Sequence, residues 1–239
     1  MRIDVIPSVN EARAEDFINR TTIVIDVLRA TSTICTALNY GSRGVITVET
    51  VSQAKEMRDH DQLLGGERYC KKITGFDLGN SPFEYMSDTL LHKTIVMTTT
   101  NGTRAINKAQ KSPHLLAGCM LNAPSCARTA IHFKRDISIL CAGTQDQFSL
   151  EDGICAGYII DEIMQHHMEE QPTLNDFALA MRAAYLNGQE QIVETILNSC
   201  NGKKLSKIGL EDDVRFCAKM DHFSVVPVLN GSIMQPFEA

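Results

Sequence analysis

The sequence predicts an α/β fold of three α/β/α layers, with a mainly parallel sheet and a helical C-terminal portion. Short runs rich in β-branched residues alternate with amphipathic stretches from the N-terminus to about residue 170. This alternation is typical of parallel strands joined by right-handed helical crossovers. From Ser149 onward the pattern becomes helical. We therefore expect helices on both faces of one sheet.

Six strands are predicted from the β-branched runs: Thr22–Asp26, Gly44–Glu49, Leu63–Glu67, Thr94–Thr99, His114–Cys119 and Asp136–Cys141. The stretches between them predict helices at Ser32–Tyr40, Ser52–His60, Thr103–Lys108 and Ala123–Phe133. Three strands end directly in polar turn residues, at Asp26, Thr98–Asn101 and Cys141–Thr144. We expect these three C-terminal ends to lie on one edge of the sheet, where α/β proteins bind ligands.

Three further helices are predicted at Leu150–Gln165, Thr173–Asn187 and Gln189–Ser199. Gln171 and Pro172 are the breaker between the first two. The 239 residues fit a single α/β domain over 1–239, with a lobe boundary near 171–172 as the place where the chain could divide. The last segment holds GLEDDVRFCAKMD and the apolar run FSVVPVL.

The composition argues against several classes of function. The chain has 23 Lys and Arg against 29 Asp and Glu and only 6% aromatic residues, which argues against nucleic acid as a partner. Arg2 and Asp4 interrupt any signal-like run, and no stretch is long enough to span a membrane, so we expect a cytoplasmic protein. The eight cysteines form no CxxC pair and are expected to be small buried residues. A homodimer is the base-rate expectation.

The segment TIVIDVLRATST is the most informative stretch. If its first residues form a buried strand, Asp26 lies at the sheet edge with a carboxylate free for Mg²⁺. Arg29 is suited to bind a phosphate or carboxylate, and Thr31 and Ser32 to donate hydrogen bonds at the helix start. The alternative is that a hydroxyl is an ordinary N-cap and Arg29 a surface ion-pair partner.

The segment TTTNGTR repeats this pattern of strand, hydroxyls and helix start. Its Asn-Gly pair is able to adopt left-handed conformations that aim successive N–H groups at one anion. Alone it would be a plain turn between a strand and a helix. Two such loops favour an anion site, with Thr100, Asn101, Gly102, Thr103 and Arg104 as the predicted substrate-binding residues.

The stretch Leu64–Pro82 is predicted to be a long loop, and loops of this length are usually functional or disordered. It carries Glu67 and Asp77 as candidate carboxylates and Asn80 as a candidate substrate-binding residue. The alternative is a lid whose charges face water.

Two acidic groups lie nearer the C-terminus. Glu151 and Asp152 open a predicted helix, where the helix dipole alone favours acids. Glu211, Asp212 and Asp213 form a cluster whose mutual repulsion a cation would ease, although a solvated acidic surface is the commoner outcome.

The segments IDVLRATST, GGER, GFDLGNSP and TTTNGTRAI, in this order, together resemble the 2-phosphosulfolactate phosphatase family. The pairs AG at 142–143 and ED at 151–152, and the tail GLEDDVRFCAKMD followed by VVP, are also similar to it. The resemblance spans nearly the whole chain.

The resemblance implies an Mg²⁺-dependent acid phosphatase associated with coenzyme M biosynthesis. Such an enzyme hydrolyses 2-phosphosulfolactate, or a related 2-hydroxy acid phosphate, to sulfolactate and phosphate. We expect Asp26, Glu67 and Asp152 to be catalytic and to bind the metal. Either a water polarised by the metal attacks phosphorus, or Asp26 is the nucleophile and forms an aspartyl phosphate.

The alternative from another class is a non-catalytic binding or regulatory protein for a small anionic metabolite. The several carboxylates beside an anion site argue against it, because a pure binder of anions has little use for them.

Overall fold

The computed structural model describes residues 1–166 and 171–238. Eleven strands in this part of the chain form one sheet. They are β1 (Arg2–Ile6), β2 (Thr21–Ile25), β3 (Gly44–Thr47), β4 (Gln62–Arg68), β5 (Lys71–Lys72), β6 (Thr94–Thr98), β7 (His114–Gly118), β8 (Ile137–Cys141), β9 (Thr173–Leu174), β10 (Pro227–Asn230) and β11 (Ile233–Pro236).

Helices pack around this sheet. They are α1 (Ala30–Asn39), α2 (Val51–Glu56), α3 (Gly102–Ala109), α4 (Ala123–His132), α5 (Leu150–Gln165), α6 (Asp176–Gly188), α7 (Ile192–Leu197), α8 (Cys200–Lys207) and α9 (Glu211–Cys217). The predicted α/β class is confirmed, and all six predicted strands are present.

The strand order is β5-β4-β6-β3-β11-β10-β7-β2-β8-β1-β9. The groups β4-β6-β3 and β7-β2-β8-β1-β9 are each parallel within themselves. Between them the hairpin of β10 and β11 pairs antiparallel to β7 on one side and to β3 on the other. The last two strands of the chain therefore join two parallel groups into one sheet.

The direction of β6 corrects one expectation. Three antiparallel pairings lie between β7 and β3, so β6 runs opposite to β2 along the sheet, and the three polar strand ends do not share one edge. The residues that follow β2, β6 and β8 nevertheless line one pocket, among them Asp26, Thr100 and Thr144.

Alternation along β2 shows how both faces of the sheet are buried. Ile23 and Ile25 pack into a core with α4, α5 and the C-terminal helices, whereas Val24 packs on the opposite face with α1 and α3. Because successive side chains of a strand point to opposite faces, a strand buried along its whole length requires a covering layer on each side. This arrangement matches the predicted layers.

Several local expectations were wrong. The alternating strand β1 and the hairpin of β10 and β11 were not predicted. The expected loop from Leu64 begins as strand β4, which continues to Arg68. The helix expected from Thr173 begins at Asp176, because the Asn175 side chain caps it by accepting a hydrogen bond from the Ala178 N–H at 2.9 Å.

The chain on both sides of 171–172 contributes to the same sheet, since β9 pairs with β1. The single domain over 1–239 stays a prediction. None of the described helices is long and apolar enough to cross a membrane.

The cysteines confirm the expectation of small buried residues for six of eight. Those six are Cys35, Cys119, Cys126, Cys141, Cys155 and Cys217. Cys70 is half-buried and Cys200 is exposed, and all eight are free thiols.

Gly157 permits the close packing of α5 on α6, because a Cβ atom there would overlap the backbone oxygen of Met181. We expect Gly157→Ala to lower the free energy of unfolding, measured with urea, by about 1–3 kcal/mol. The matched control is Gly188→Ala, where the nearest atom to the added Cβ would be Thr195 Oγ1 at 3.9 Å. Equal destabilisation by both variants would show that helix contact is not the cause.

Candidate active site

A polar pocket lies at the C-terminal ends of β2, β6 and β8, with α8 as one wall. Its lining residues are Asp26, Leu28, Arg29, Glu67, Tyr69, Cys70, Asn80, Thr99, Thr100, Asn101, Thr144, Gln145, Asn201, Lys204 and Leu205. Six of the residues predicted from the sequence are among them: Asp26, Arg29, Glu67, Asn80, Thr100 and Asn101. The structure thus brings together both hydroxyl-rich loops and the glutamate of β4.

Asp26 follows β2 directly and is 7% exposed. Its Oδ1 accepts a hydrogen bond from the Ala30 N–H at 3.2 Å. Burial raises the pKa of Asp26 from its ordinary value of 3.8 to about 7, and repulsion from Glu67 and Glu151 adds to this effect. The Ala30 N–H and the Arg29 guanidinium act in the opposite direction. Carboxylates therefore crowd this end of the pocket.

Thr31 and Ser32 lie behind the pocket lining and are fully buried. The Thr31 hydroxyl accepts a hydrogen bond from the Asp26 N–H and donates one to the Asp26 carbonyl oxygen, both at 2.9 Å. The Ser32 hydroxyl donates to the Val27 carbonyl oxygen at 2.9 Å. Both hydroxyls hold the turn that positions Asp26.

Glu67 connects β4 to the loop after β6. Its Oε1 accepts hydrogen bonds from the Thr100 N–H at 2.8 Å and the Thr100 hydroxyl at 2.9 Å, and its Oε2 accepts one from the Cys70 N–H at 2.7 Å. Thr100 was predicted to bind a substrate anion. In the structure, the N–H and the hydroxyl of Thr100 both donate to the Glu67 carboxylate instead.

Asp152 is buried behind the pocket and connects two strand ends. Its Oδ1 accepts a hydrogen bond from the Val27 N–H at 2.9 Å, and its Oδ2 accepts one from the Gly143 N–H at 3.1 Å. Burial, followed by repulsion from Glu151 and Asp26, raises the pKa of Asp152 well above its ordinary value. Asp152 fixes the turns after β2 and β8 relative to each other.

Arg29 forms a buried ion pair with Asp213 of α9, and both side chains are 4% exposed. Asp213 Oδ1 also accepts a hydrogen bond from the Ser81 hydroxyl at 2.9 Å. The expectation that Asp213 belongs to a solvated acidic surface was wrong, because α9 turns its side chain inward while Glu211 and Asp212 stay exposed. A run of acidic residues in a sequence does not by itself indicate which of the side chains is buried.

The loop after β6 is only partly in the pocket. Gly102 packs under Asp26, where a Cβ atom would lie 2.5 Å from Asp26 Oδ2. The Thr103 hydroxyl donates to the Thr99 carbonyl oxygen at 3.0 Å. Arg104 is exposed and pairs with Asp146 at 2.6 Å. These three predicted residues do not line the pocket.

Sequence reasoning missed the contribution of α8. Asn201 donates hydrogen bonds from Nδ2 to Thr144 Oγ1 at 2.5 Å and to Glu151 Oε1 at 2.7 Å. Lys204 adds a positive charge to the lining. No helix was predicted over α8. The signal in the sequence was Ser199, whose side chain caps the start of α8 by accepting a hydrogen bond from the Gly202 N–H.

The carboxylates that line the pocket fit Mg²⁺ when phosphate and water oxygens supply its other ligands. Across residues 1–166 and 171–238, no group of three or more His, Cys, Asp or Glu side chains is placed to hold a metal ion by itself. Asp26 and Glu67 do line the pocket together and repel each other. Mg²⁺ commonly binds one or two protein carboxylates, with water and phosphate oxygens as its other ligands. The site therefore fits an ion that binds together with a phosphate.

Comparison with known proteins agrees with this arrangement. A family model described as 2-phosphosulpholactate phosphatase matches residues 7–232. A probable 2-phosphosulfolactate phosphatase of Clostridium novyi (strain NT) is 42% identical over 231 residues, covering 95% of this chain and 96% of the relative. Probable 2-phosphosulfolactate phosphatases of Clostridium tetani and Symbiobacterium thermophilum are both 39% identical, covering 98% and 92% of this chain and 100% and 95% of their own lengths. The chain belongs to the 2-phosphosulfolactate phosphatase family.

Proposed function

We propose that the protein hydrolyses the phosphate monoester of 2-phosphosulfolactate to give sulfolactate and phosphate. The observation that carries the proposal is the buried Arg29 beside Asp26 and Glu67 in one pocket. A buried guanidinium is suited to a phosphoryl group, and two carboxylates are suited to a hard cation. The family membership supports the same reaction.

The proposed cofactor is Mg²⁺, held by Asp26 and Glu67. When bound, it would offset the negative charge of the phosphoryl group and of the two carboxylates. Asp152, unlike Asp26 and Glu67, does not line the pocket, and its two oxygens accept hydrogen bonds from the backbone N–H groups of Val27 and Gly143. We therefore assign Asp152 a positioning role: its carboxylate fixes the backbone on which Asp26 is carried.

The proposed reaction is direct attack by water. An oxygen–phosphorus bond forms to water, the bond between phosphorus and the C2 oxygen of the substrate breaks, and one proton of the water ends on that oxygen. Arg29 uses Nη1 for Asp213, while its Nε and Nη2 have no hydrogen-bond partner among the described residues. These donors are available to the phosphoryl oxygens. Positioning and charge of this kind supply most of the catalysis in phosphoryl transfer.

Phosphate release from 2-phosphosulfolactate tests the function. We expect release with Mg²⁺ and its loss in EDTA, and we expect Asp26→Asn to lower kcat by at least about 100-fold. The matched control is Asp59→Asn, at an exposed aspartate remote from the lining. Acid-quenched turnover should contain no phosphorylated protein.

A trapped aspartyl phosphate would replace direct attack by water with nucleophilic attack by Asp26. Tight binding of 2-phospho acids without any phosphate release in Mg²⁺ would instead indicate a binding protein.

Substitutions of Arg29 and Arg104 distinguish the roles of the two arginines that the sequence predicts to bind substrate. We expect Arg29→Lys to lower kcat/KM by about 100-fold, because the ammonium cannot contact Asp213 and a phosphate with a planar fork. Arg104→Lys should change it less than about threefold, since Arg104 forms an exposed pair outside the pocket. Equal losses in steady-state kinetics would contradict the assignment of Arg29.

The raised pKa of Asp26 predicts a pH-dependent cost of folding. Between pH 3.8 and about 7 the folded protein holds a proton that the unfolded chain has lost, so this group lowers the stability as pH rises. In urea unfolding with EDTA, Asp26→Asn should therefore be more stable than the parent by up to about 4 kcal/mol at pH 8, and no more stable at pH 4.

The control for this pH profile is again the exposed Asp59→Asn, which should track the parent. A stability gain of Asp26→Asn that grows toward acid pH would refute the argument.

A further inference from the structure

One face of α8 forms a wall of the pocket. Asn201, Lys204 and Leu205 all line it, and their spacing of three and four residues places them on the same side of the helix. Leu205 is buried in the core and anchors this side. Lys204 is exposed at the pocket, so its ammonium is the charged group that α8 offers to a ligand.

The first turn of α8, which precedes Lys204, is held by polar contacts. The Ser199 hydroxyl accepts a hydrogen bond from the Gly202 N–H at 3.0 Å. Asn201, one turn before Lys204, donates to Thr144 and to the buried Glu151. The backbone that carries Lys204 is therefore held against the turn after β8, in the same pocket that Asp26 and Arg29 line.

The two positive charges of the pocket differ in whether a negative charge of the protein pairs with them. Arg29 and Lys204 are the cations of the lining in the part of the chain that the structure describes. Arg29 is neutralised by Asp213. Lys204 forms no ion pair with any residue in 1–166 or 171–238. Its charge is therefore the one in the lining that lacks a counter-charge among these residues.

A phosphorylated 2-hydroxy acid carries at least one acid group besides the phosphate. With the phosphate placed at Arg29 and the two carboxylates, that second acid would otherwise face Asp26 and Glu67 without compensation. Resting on the proposed function, we infer that Lys204 binds the carboxylate or sulfonate of the substrate and so selects phosphorylated acids over simple phosphate monoesters. Thr144 and Gln145 line the same pocket and offer further polar groups.

The test compares Lys204→Met, Lys204→Arg and the control Lys203→Met on three substrates in Mg²⁺. Lys203 is the adjacent exposed lysine and does not line the pocket. The substrates are 2-phosphosulfolactate, 2-phospholactate and isopropyl phosphate, which has no second acid. Calorimetric binding of sulfolactate to each variant gives a readout that does not depend on turnover.

We expect Lys204→Met to lower kcat/KM for 2-phosphosulfolactate by about 10- to 100-fold, mainly through KM, and to change it less than about threefold for isopropyl phosphate. Lys204→Arg should restore most of the loss, and Lys203→Met should behave as the parent. A loss with both acid substrates would place the carboxylate at Lys204, and a loss with 2-phosphosulfolactate alone would place the sulfonate there. Either result supports the inference.

The same loss on all three substrates, or no loss on any of them, would overturn it. If the parent protein releases no phosphate from these substrates, the proposed function fails and the binding experiment decides. Weaker sulfolactate binding by Lys204→Met, but not by Lys203→Met, would still support Lys204 as the acid-binding residue. Unchanged binding would overturn it.

Discussion

The hairpin of β10 and β11 is the constraint on which the rest of the sheet depends. Val228 pairs with Leu116 of β7, and Met234 pairs with Val45 of β3, so this short segment is in contact with both parallel groups. Asp26 extends from one group and Glu67 from the other. The distance between the two carboxylates therefore depends on a hairpin that contributes no residue to the pocket.

The pocket combines groups that destabilise one another when no ligand is present. Asp26, Glu67, Glu151 and Asp152 are all buried, and this burial, followed by repulsion among them, raises the pKa of Asp26 and of Asp152. The Arg29–Asp213 pair adds one positive and one negative charge and so relieves little of this excess. The folded protein bears this cost at neutral pH because fixed charges bind a cation and a phosphate without further reorganisation.

The parts of the structure that the sequence predicts are those with a local cause. β2 and β6 were found within a residue because β-branched runs end in polar turns. The hairpin was missed although Gly231 and Ser232 form a two-residue turn typical of one, because a proline begins β10; its pairing with β7 and β3 joins segments that are distant in sequence. Asp213 and Lys204 were missed because neither α9 nor α8 was predicted as a helix. The partners of Asp213, Arg29 and Ser81, are also distant from it in sequence.

The distribution of the cysteines has a practical consequence for chemical labelling. Burial raises the pKa of core thiols such as Cys141 and Cys155, so they stay protonated and inaccessible to alkylating reagents. Cys200 is exposed on the surface, whereas Cys70 is half-buried in the pocket lining. With Cys200 replaced by serine, protection of Cys70 from a thiol reagent would report occupancy of the pocket by any ligand, whether or not the ligand is hydrolysed.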